Sequence, residues 1–143
     1  MEEVRYESPT TIAHASRLLG EPGARVLAGG TDLIVQMRTG RSAPRVFVDV
    51  KRIPELSRIG LDAKSLWLGA AVPAALVVEN TEIGRLFPGL VEAVDLIGST
   101  QIQGRASVGG NLCNASPAAD TVPALIAIGA VCLIGRASCR ERV

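Results

Sequence analysis

The sequence is short of the residue types that most enzymes use for catalysis: it has one histidine and three cysteines, and 3% of its residues are aromatic. With no Cys/His pairing and no cluster of carboxylates, it offers no catalytic triad, metal site or pair of glycosidase carboxylates. The lack of a CxxC motif argues against an iron–sulfur cluster on this chain. The shortage of aromatic side chains excludes the stacking surfaces of single-stranded nucleic-acid binders. Any chemistry must therefore come mainly from a cofactor.

Charge and apolar runs exclude further classes of protein. The 143 residues are 48% apolar and 20% charged, which is typical of a globular chain with one domain or two small subdomains. The formal net charge is +1, which does not favour a nucleic-acid partner. The longest apolar stretch, Pro123–Ile134, is too short to span a bilayer, and no secretory signal opens the chain. Cys113 and Cys132 look unpaired, which suits a reducing cytoplasm, so we expect a cytoplasmic protein.

The last ten residues, Ile134–Val143, differ in character from what precedes them. An apolar run gives way to three arginines without a turn signal. The ten residues are also, codon for codon, a translation of DNA that resembles a common short-read sequencing adapter. We therefore interpret 134–143 as an artefact and exclude it from the fold. Setting it aside leaves a formal net charge of −1, because three arginines and one glutamate go with it.

Hydrophobic periodicity predicts a β-α-β-α-β order in the first part of the chain. Apolar residues alternate or run together in the strands and recur at helical spacing between them. The predicted strands lie around Val4–Tyr6, at Arg25–Ala28 and at Arg45–Val50, with helices from Ile12 to Leu19 and from Leu33 to Met37. This order is typical of an α/β unit with parallel strand pairing.

The second part of the chain, after a break near residues 57–60, is also predicted to be α/β. Its expected elements are a strand at 65–69, helices at 70–79 and 86–97, an extended segment at 102–108, and a mostly buried helix or helix–strand pair at 117–133. We therefore predict an N-terminal subdomain of residues 1–58 and a second subdomain of residues 59–133, each carrying one glycine-containing segment.

The first glycine segment, Val26–Leu33, follows a predicted strand and precedes a predicted helix. Backbone N–H groups at a helix start, aided by the helix dipole, favour a phosphate group. The spacing fits neither the Walker A motif nor G-x-G-x-x-G. A tight turn with Thr31 or Asp32 as the N-cap explains the pattern equally well.

The second glycine segment, Ala106–Asp120, contains more residues that could contact a ligand than the first. Its adjacent Gly109 and Gly110 could take positive φ and form an anion-binding nest, while Asp120 could accept from a sugar hydroxyl or an adenine amine. The alternatives are a β-turn or bulge with Asn111 in the left-handed region, and Asp120 as a helix cap. Two such segments suggest a ligand with a pyrophosphate and two ends to hold.

Three stretches together resemble the FAD-binding medium subunit of molybdenum hydroxylases, a family that includes xanthine dehydrogenase and the carbon monoxide dehydrogenase flavoprotein subunit. They are Leu27–Leu33, Ile97–Ile102 and Ala106–Ala124, and the resemblance covers residues 1–133. It implies a PCMH-type (vanillyl-alcohol-oxidase-like) FAD-binding domain with FAD between two α/β subdomains, truncated here before the second is complete.

The resemblance also implies roles for individual residues. The first FAD loop, which wraps the pyrophosphate, is matched by Leu27, Ala28, Gly29, Gly30, Thr31, Asp32, Leu33 and Ile34. The second, which reaches the pyrophosphate and the flavin, is matched by Ser107, Val108, Gly109, Gly110 and Asn111. Asp120 matches the position that contacts the adenosine part of FAD, and Ile97 matches an apolar or aromatic wall near the flavin. Gln103-Gly104 departs from the Arg-Asn of many relatives, so its role here is open.

The family resemblance implies an electron relay. A large subunit with a molybdenum cofactor would hydroxylate the substrate, and a small subunit with two [2Fe–2S] clusters would pass electrons to FAD and on to NAD⁺, oxygen or another acceptor. The protein would contribute binding and electronics rather than acid–base groups. We expect residues 1–143 alone to bind FAD weakly or not at all and to catalyse nothing.

Two alternatives stay open at this point. One is a stand-alone PCMH-type flavin oxidoreductase, often with covalently attached flavin. The only histidine, His14, lies away from both glycine segments and argues against histidyl attachment within these residues. The other is a non-enzymatic assembly scaffold or remnant, in which the glycine segments are only turns.

Overall fold

The first part of the chain folds as the sequence predicts. The computed structural model describes residues 4–62, 65–134 and 140–143. A three-stranded sheet contains β1 (Arg5–Glu7), β2 (Ala24–Leu27) and β3 (Val46–Asp49), connected by α1 (Ile12–Leu19) and α2 (Leu33–Arg38). The strands are parallel and lie in the order β1-β3-β2, with Leu27 opposite Asp49. The predicted β-α-β-α-β unit with parallel pairing is confirmed.

Local sequence explains why α1 begins and ends where it does. Thr11 is its N-cap, and the Thr11 hydroxyl accepts a hydrogen bond from the backbone N–H of His14 at 3.2 Å. Gly20 is the C-cap residue. The helix turns Ala15 onto the sheet, while His14 is exposed. Below it lies the first core cluster, formed by Ala15, Ala24, Val46, Val48, Val50, Ile53 and Ala71.

The middle of the chain contains more structure than predicted. The helix α3 (Pro54–Ser57) and the strand β4 (Ile59–Leu61) were not foreseen, whereas β5 (Leu66–Leu68) lies within the predicted strand. Strands β4 and β5 pair antiparallel. This hairpin leads the chain from the parallel sheet into the helical second part.

Helices dominate the second part. They are α4 (Ala74–Val78), α5 (Thr81–Leu86), α6 (Pro88–Asp95), α7 (Thr100–Gln103), α8 (Val108–Cys113) and α9 (Thr121–Ala127), followed by the strand β6 (Val131–Leu133). They enclose a second core cluster, with Val77, Ile83, Leu90 and Val94 at its fully buried centre. Two predictions here are wrong: residues 102–103, at the start of the predicted extended segment 102–108, belong to α7, and the glycine pair of the second segment lies inside α8.

The predicted helix–strand pair at 117–133 is confirmed as α9 and β6, but the prediction that it is mostly buried is wrong. Ile126, Ile128, Val131 and Leu133 are exposed, and only one side of α9, with Leu125, faces the core. Within the suspected artefact, residues 135–139 lie outside the described residues, and β7 (Arg140–Arg142) pairs antiparallel with β6. The artefact assignment stays a prediction, which resequencing the source DNA across codon 134 would test.

Close contacts between backbones join the first and second parts of the chain. A Cβ added to Gly69 would lie 2.5 Å from the carbonyl oxygen of Leu56, so glycine lets these backbones touch. Ala71 packs in the first core cluster although its neighbour Val72 belongs to the second. The boundary between residues 58 and 59 stays a prediction. None of the described helices combines the length and the apolar character needed to cross a membrane.

Candidate functional site

One cavity of about 460 Å³ lies where the two glycine segments meet. Most of the predicted site residues line it: Leu27, Ala28, Gly29, Gly30, Thr31, Asp32, Leu33, Ile97, Ser107, Gly110, Asn111 and Asp120. The remaining three do not: Ile34 packs against Gly30, Val108 belongs to the second core cluster, and Gly109 contacts Ala70. The fold therefore brings together two segments that are far apart in the sequence.

The first glycine segment follows the carboxyl end of β2, and several of its backbone N–H groups have no acceptor among the described residues. Gly30 has φ +79°, a conformation that favours glycine, and this turns the chain into α2. The N–H groups of Gly29, Gly30, Thr31 and Asp32 have no acceptor in the described part of the chain. Asp32 sits at the N-cap position but makes no side-chain cap hydrogen bond. This run of unpaired donors along the cavity wall suits an anionic ligand.

Gly29 is required by packing between the two segments. A Cβ at this position would lie 1.9 Å from the carbonyl oxygen of Arg105 and 2.9 Å from the backbone nitrogen of Ala106. Both neighbouring groups are backbone, so no rotamer change could make room. The missing side chain at Gly29 thus lets the first segment rest directly on the start of the second.

The second glycine segment is helical, contrary to the predicted loop with positive φ. Ser107 is the N-cap of α8, and the Ser107 hydroxyl accepts from the N–H of Gly110 at 3.0 Å. Neither Gly109 nor Gly110 has positive φ. A Cβ on Gly109 would lie 2.5 Å from the carbonyl oxygen of Ala70, whereas Gly110 faces the cavity. The pair is therefore needed for a close approach on one side and for open space on the other.

Asn111 and Asp120 share one end of the cavity but differ in their contacts. The side-chain oxygen of Asn111 accepts from the Thr121 hydroxyl at 2.6 Å and from the Thr121 N–H at 3.3 Å, which ties α8 to the start of α9. Thr121 is fully buried. Asp120 is exposed and makes no side-chain cap hydrogen bond to α9, so the capping alternative is wrong for its carboxylate. That carboxylate remains available to a ligand.

A hydrogen bond that the sequence analysis missed crosses the cavity. The side-chain N–H of Gln36 in α2 donates to the side-chain oxygen of Asn114, just after α8, at 3.0 Å. Both residues line the cavity. The sequence features that could have indicated these two residues are that Asn114 lies within the second glycine segment and that Gln36 lies one helical turn after Asp32. The bond joins the two glycine segments at a second point beside the contact of Gly29.

A second missed feature lies at the carboxyl edge of the parallel sheet. The Tyr6 hydroxyl donates to the buried carboxylate of Asp49, and the Lys51 ammonium donates to the same carboxylate oxygen at 2.7 Å. The ammonium also donates to the carbonyl oxygen of Ala28 at 2.8 Å. Ala28 lines the cavity, so this network reaches the first glycine segment from outside the cavity.

The network shifts two pKa values. Burial raises the pKa of Asp49, but hydrogen bonds from Lys51 and Tyr6 outweigh that effect and leave the pKa below its ordinary value of 3.8. The hydrogen bond to Asp49 is the largest cause of a raised pKa at Tyr6, whose ordinary value is 10.0, and burial adds to it. The stabilisation from Asp49 is therefore present above about pH 3.8 and is lost as the pH falls through the folded-state pKa. The stabilisation from Tyr6 is complete below about pH 10 and is lost as the pH rises through its folded-state pKa.

Replacing Tyr6 with phenylalanine tests this network. We expect Tyr6→Phe to lower the free energy of unfolding by about 1–2 kcal/mol at pH 7, because a hydrogen bond to a charged acceptor is removed at the sheet edge. The difference from the wild type should narrow above about pH 10, because the phenol then ionises in the unfolded chain while the raised pKa keeps it protonated beside Asp49 in the folded protein. Urea unfolding at a series of pH values from neutral to strongly alkaline would measure it. A difference that stays constant across the series would contradict the assignment.

The side chains at the cavity favour binding over catalysis. Nowhere among the described residues do three His, Cys, Asp or Glu side chains gather in a way that could hold a metal ion. The cavity supplies backbone amides, side-chain amides, the hydroxyls of Thr31, Ser107 and Ser116, the Cys113 thiol and the carboxylates of Asp32 and Asp120. These groups can recognise phosphate and hydroxyl groups, and the apolar Ile97 and Ile102 can contact a ring.

Residues 2–143 match a family described as the FAD binding domain in molybdopterin dehydrogenase. The chain belongs to this family. The recognition of a molybdenum-hydroxylase flavin domain from its three sequence stretches is therefore confirmed, as are the α/β fold class and FAD as the cofactor of the family.

Relatives of this FAD-binding domain are subunits of larger oxidoreductases. The chain is 36% identical over 124 residues to the xanthine dehydrogenase FAD-binding subunit of Escherichia coli O157:H7, covering 85% of this chain and 42% of that protein. It is 31% identical over 127 residues to the carbon monoxide dehydrogenase medium chain of Hydrogenophaga pseudoflava, covering 87% of this chain and 44% of that protein. The chain thus spans less than half the length of these two relatives.

A solved structure agrees with the same family. Carbon monoxide dehydrogenase from Hydrogenophaga pseudoflava, in a form that lacks the Mo-pyranopterin moiety of its cofactor, superposes with a TM-score of 0.90 at 28% identity. The match covers 99% of this chain and 50% of that chain. The fold of this chain is therefore similar to that of about half of one chain of this dehydrogenase.

Proposed function

We propose that this chain binds FAD in the cavity between its two glycine segments and serves as the FAD-binding electron-transfer subunit of a molybdenum hydroxylase. The observation that carries the proposal is the convergence of both segments on one cavity in a member of this FAD-binding family. The cavity volume of about 460 Å³ lies within the range of roughly 300–1,000 Å³ that small-molecule sites occupy.

The residues at the cavity fit a dinucleotide with a flavin. The free N–H groups of Gly29, Gly30, Thr31 and Asp32 would donate to the pyrophosphate, whose negative charge suits such a run of amides. The second segment, from Ser107 to Asn111, would approach the pyrophosphate and the flavin from the opposite side. Bound FAD supplies the redox chemistry that the side chains lack.

The two ends of the cofactor would be held by different chemistry. The Asp120 carboxylate, free of capping contacts, would accept from a hydroxyl or amine of the adenosine part. Ile97, which is buried at the cavity wall, would contact the flavin ring. We also infer that the chain divides into FAD-binding subdomains of residues 1–58 and 59–133, a division that the two core clusters follow except at Ala71, which packs in the first.

In the whole protein, we propose that electrons from [2Fe–2S] clusters on a small subunit reach NAD⁺, oxygen or another acceptor through the FAD held here. A large subunit with the molybdenum cofactor would oxidise the substrate. The names of the relatives support this assembly, because they include a xanthine dehydrogenase subunit and a carbon monoxide dehydrogenase chain. The complex would act in the cytoplasm.

Titration with FAD tests the proposal. Because both glycine segments already line one cavity, we expect weak rather than absent binding: the purified chain should quench FAD fluorescence saturably at one site, and ADP should compete because it carries the same pyrophosphate and adenosine. Titration is preferable to flavin retention during purification, because it also reveals binding too weak to survive purification, with a dissociation constant of about 1 mM corresponding to about −4 kcal/mol. The absence of saturable binding up to that concentration would overturn the proposal and favour the scaffold alternative. Binding of FAD that ADP does not compete with would contradict the assigned pyrophosphate contacts.

A further inference from the structure

The carbonyl group that opens the first glycine segment is held from outside the cavity. The Lys51 ammonium donates to the Ala28 carbonyl oxygen at 2.8 Å and to the Asp49 carboxylate at 2.7 Å. Ala28 and Gly29 line the cavity, but Lys51 does not. The lysine therefore contacts the wall of the cavity from the side opposite to a ligand.

The contact determines which way one backbone amide points. The Ala28 carbonyl and the Gly29 N–H belong to the same peptide unit, and in a planar trans peptide these two groups point in opposite directions. With the carbonyl turned towards Lys51, the Gly29 N–H points away from it. That N–H has no acceptor in the part of the chain that the structure describes. A rotation of the peptide would instead present a carbonyl oxygen to an anionic ligand.

We propose that Lys51 is a positioning residue that fixes the Ala28–Gly29 peptide with its N–H directed into the cavity, where it donates to the FAD pyrophosphate. The inference rests on the proposed binding of FAD. It adds a role for a charged side chain that does not touch the ligand. The ammonium also polarises the peptide unit, so that its N–H becomes a stronger donor to a negatively charged group.

Asp49 and Tyr6 hold the lysine in place. Asp49 accepts from the Lys51 ammonium and, through its other carboxylate oxygen, from the Lys51 backbone N–H at 3.0 Å. Tyr6, on the outer strand β1, donates to the same carboxylate. Because β3 lies between β1 and β2, the three groups cross the sheet at its carboxyl edge, from Tyr6 on β1 to Ala28 after β2. The sheet thus places the cation and its counter-ion beside the glycine segment.

The test compares Lys51→Met with Arg52→Met. Both variants remove one positive charge, but Arg52 is exposed and makes none of the hydrogen bonds of the network, acting on Tyr6 only through its charge. We expect Lys51→Met to weaken the binding of FAD and of ADP by about tenfold each, because the Gly29 N–H would no longer be held in position to donate to the charged pyrophosphate. Arg52→Met should stay within about twofold of the wild type, and Lys51→Arg should restore most of the affinity because its guanidinium can also donate to a carbonyl.

A measurement without ligand separates positioning from general stability. The amide resonance of Gly29 in an ¹H–¹⁵N spectrum of the free protein should shift in Lys51→Met and remain in place in Arg52→Met, while urea unfolding reports the stability of each variant. Asp49→Asn, which removes the counter-ion at constant volume, should shift the same resonance in the same direction. Either an unchanged Gly29 resonance or an unchanged FAD affinity in Lys51→Met would overturn the inference.

Failure of the inference differs from failure of the proposed function. If the wild type binds FAD and Lys51→Met binds it equally well, the positioning role is wrong and the flavin site stands. If the wild type binds no FAD, the proposed function is wrong, and with it the role of the Gly29 N–H as a donor to the pyrophosphate.

Discussion

Replacing Gly29 with alanine is expected to cost more than any other single-methyl change at the site. The added Cβ would lie 1.9 Å from the Arg105 carbonyl oxygen and 2.5 Å from its carbonyl carbon, far inside van der Waals contact. The two glycine segments must then separate. We expect the free energy of unfolding to fall by about 3 kcal/mol, the upper end for an overpacked site, and FAD affinity to fall by about a hundredfold.

Gly84→Ala is the matched control for this prediction. Gly84 lies in α5 with open space around the position of a Cβ, and its φ is not positive. Alanine there should raise the free energy of unfolding by about 0.5–1 kcal/mol, because it favours the helix and restricts the unfolded chain. Urea unfolding and FAD titration of both variants would measure these changes. A Gly29→Ala protein as stable as the wild type would show that the contact with Arg105 is not tight.

Replacing Gly110 with leucine is expected to abolish FAD binding while leaving the fold largely intact. Gly110 lines the cavity, so a leucine side chain would occupy the space between the two glycine segments. The only near contact of a Cβ is the Ser107 hydroxyl oxygen at 2.9 Å, the end of a side chain that can rotate. Losing that N-cap costs about 1 kcal/mol. Fluorescence titration should show no saturable quenching, and the urea midpoint should fall only slightly.

Gly109→Ala, at the adjacent residue, is expected to lower the stability of the protein rather than to block the cavity. Its Cβ would lie 2.5 Å from the Ala70 carbonyl oxygen and 2.7 Å from the Ala70 Cα, so the change falls on the packing of α8. We expect a loss of about 2–3 kcal/mol in the free energy of unfolding.

If Gly110→Leu retained FAD affinity, the cavity would not be the flavin site, whatever the stability of either variant.

Local sequence patterns predicted the parallel sheet but not the short helices. The apolar positions of β2, β3 and α1 repeat over enough residues to predict these elements from the sequence. Helices of four to six residues, such as α3, α5 and α7, carry too few turns for a periodic signal. Such short helices form mainly through packing on their neighbours, which a local pattern does not contain.

The second glycine segment shows tertiary packing overriding local preference. Two adjacent glycines disfavour a helix by about 1 kcal/mol each relative to alanine, so the sequence indicated a loop. The structure places both in α8, because Gly109 must pass close to the Ala70 backbone and Ser107 supplies the N-cap. The position of the segment was predicted correctly, but its conformation was not.

The sequence by itself determined the family, the α/β order of the first part and the positions of both glycine segments, because these are properties of contiguous residues. Only the tertiary structure decided that Gly29 rests on Arg105, that Gln36 bonds Asn114 from 78 positions away, and that Lys51 holds the Ala28 carbonyl. These contacts join residues from different elements. Their existence depends on strand order and helix packing, and a local pattern of residue types does not specify either of them.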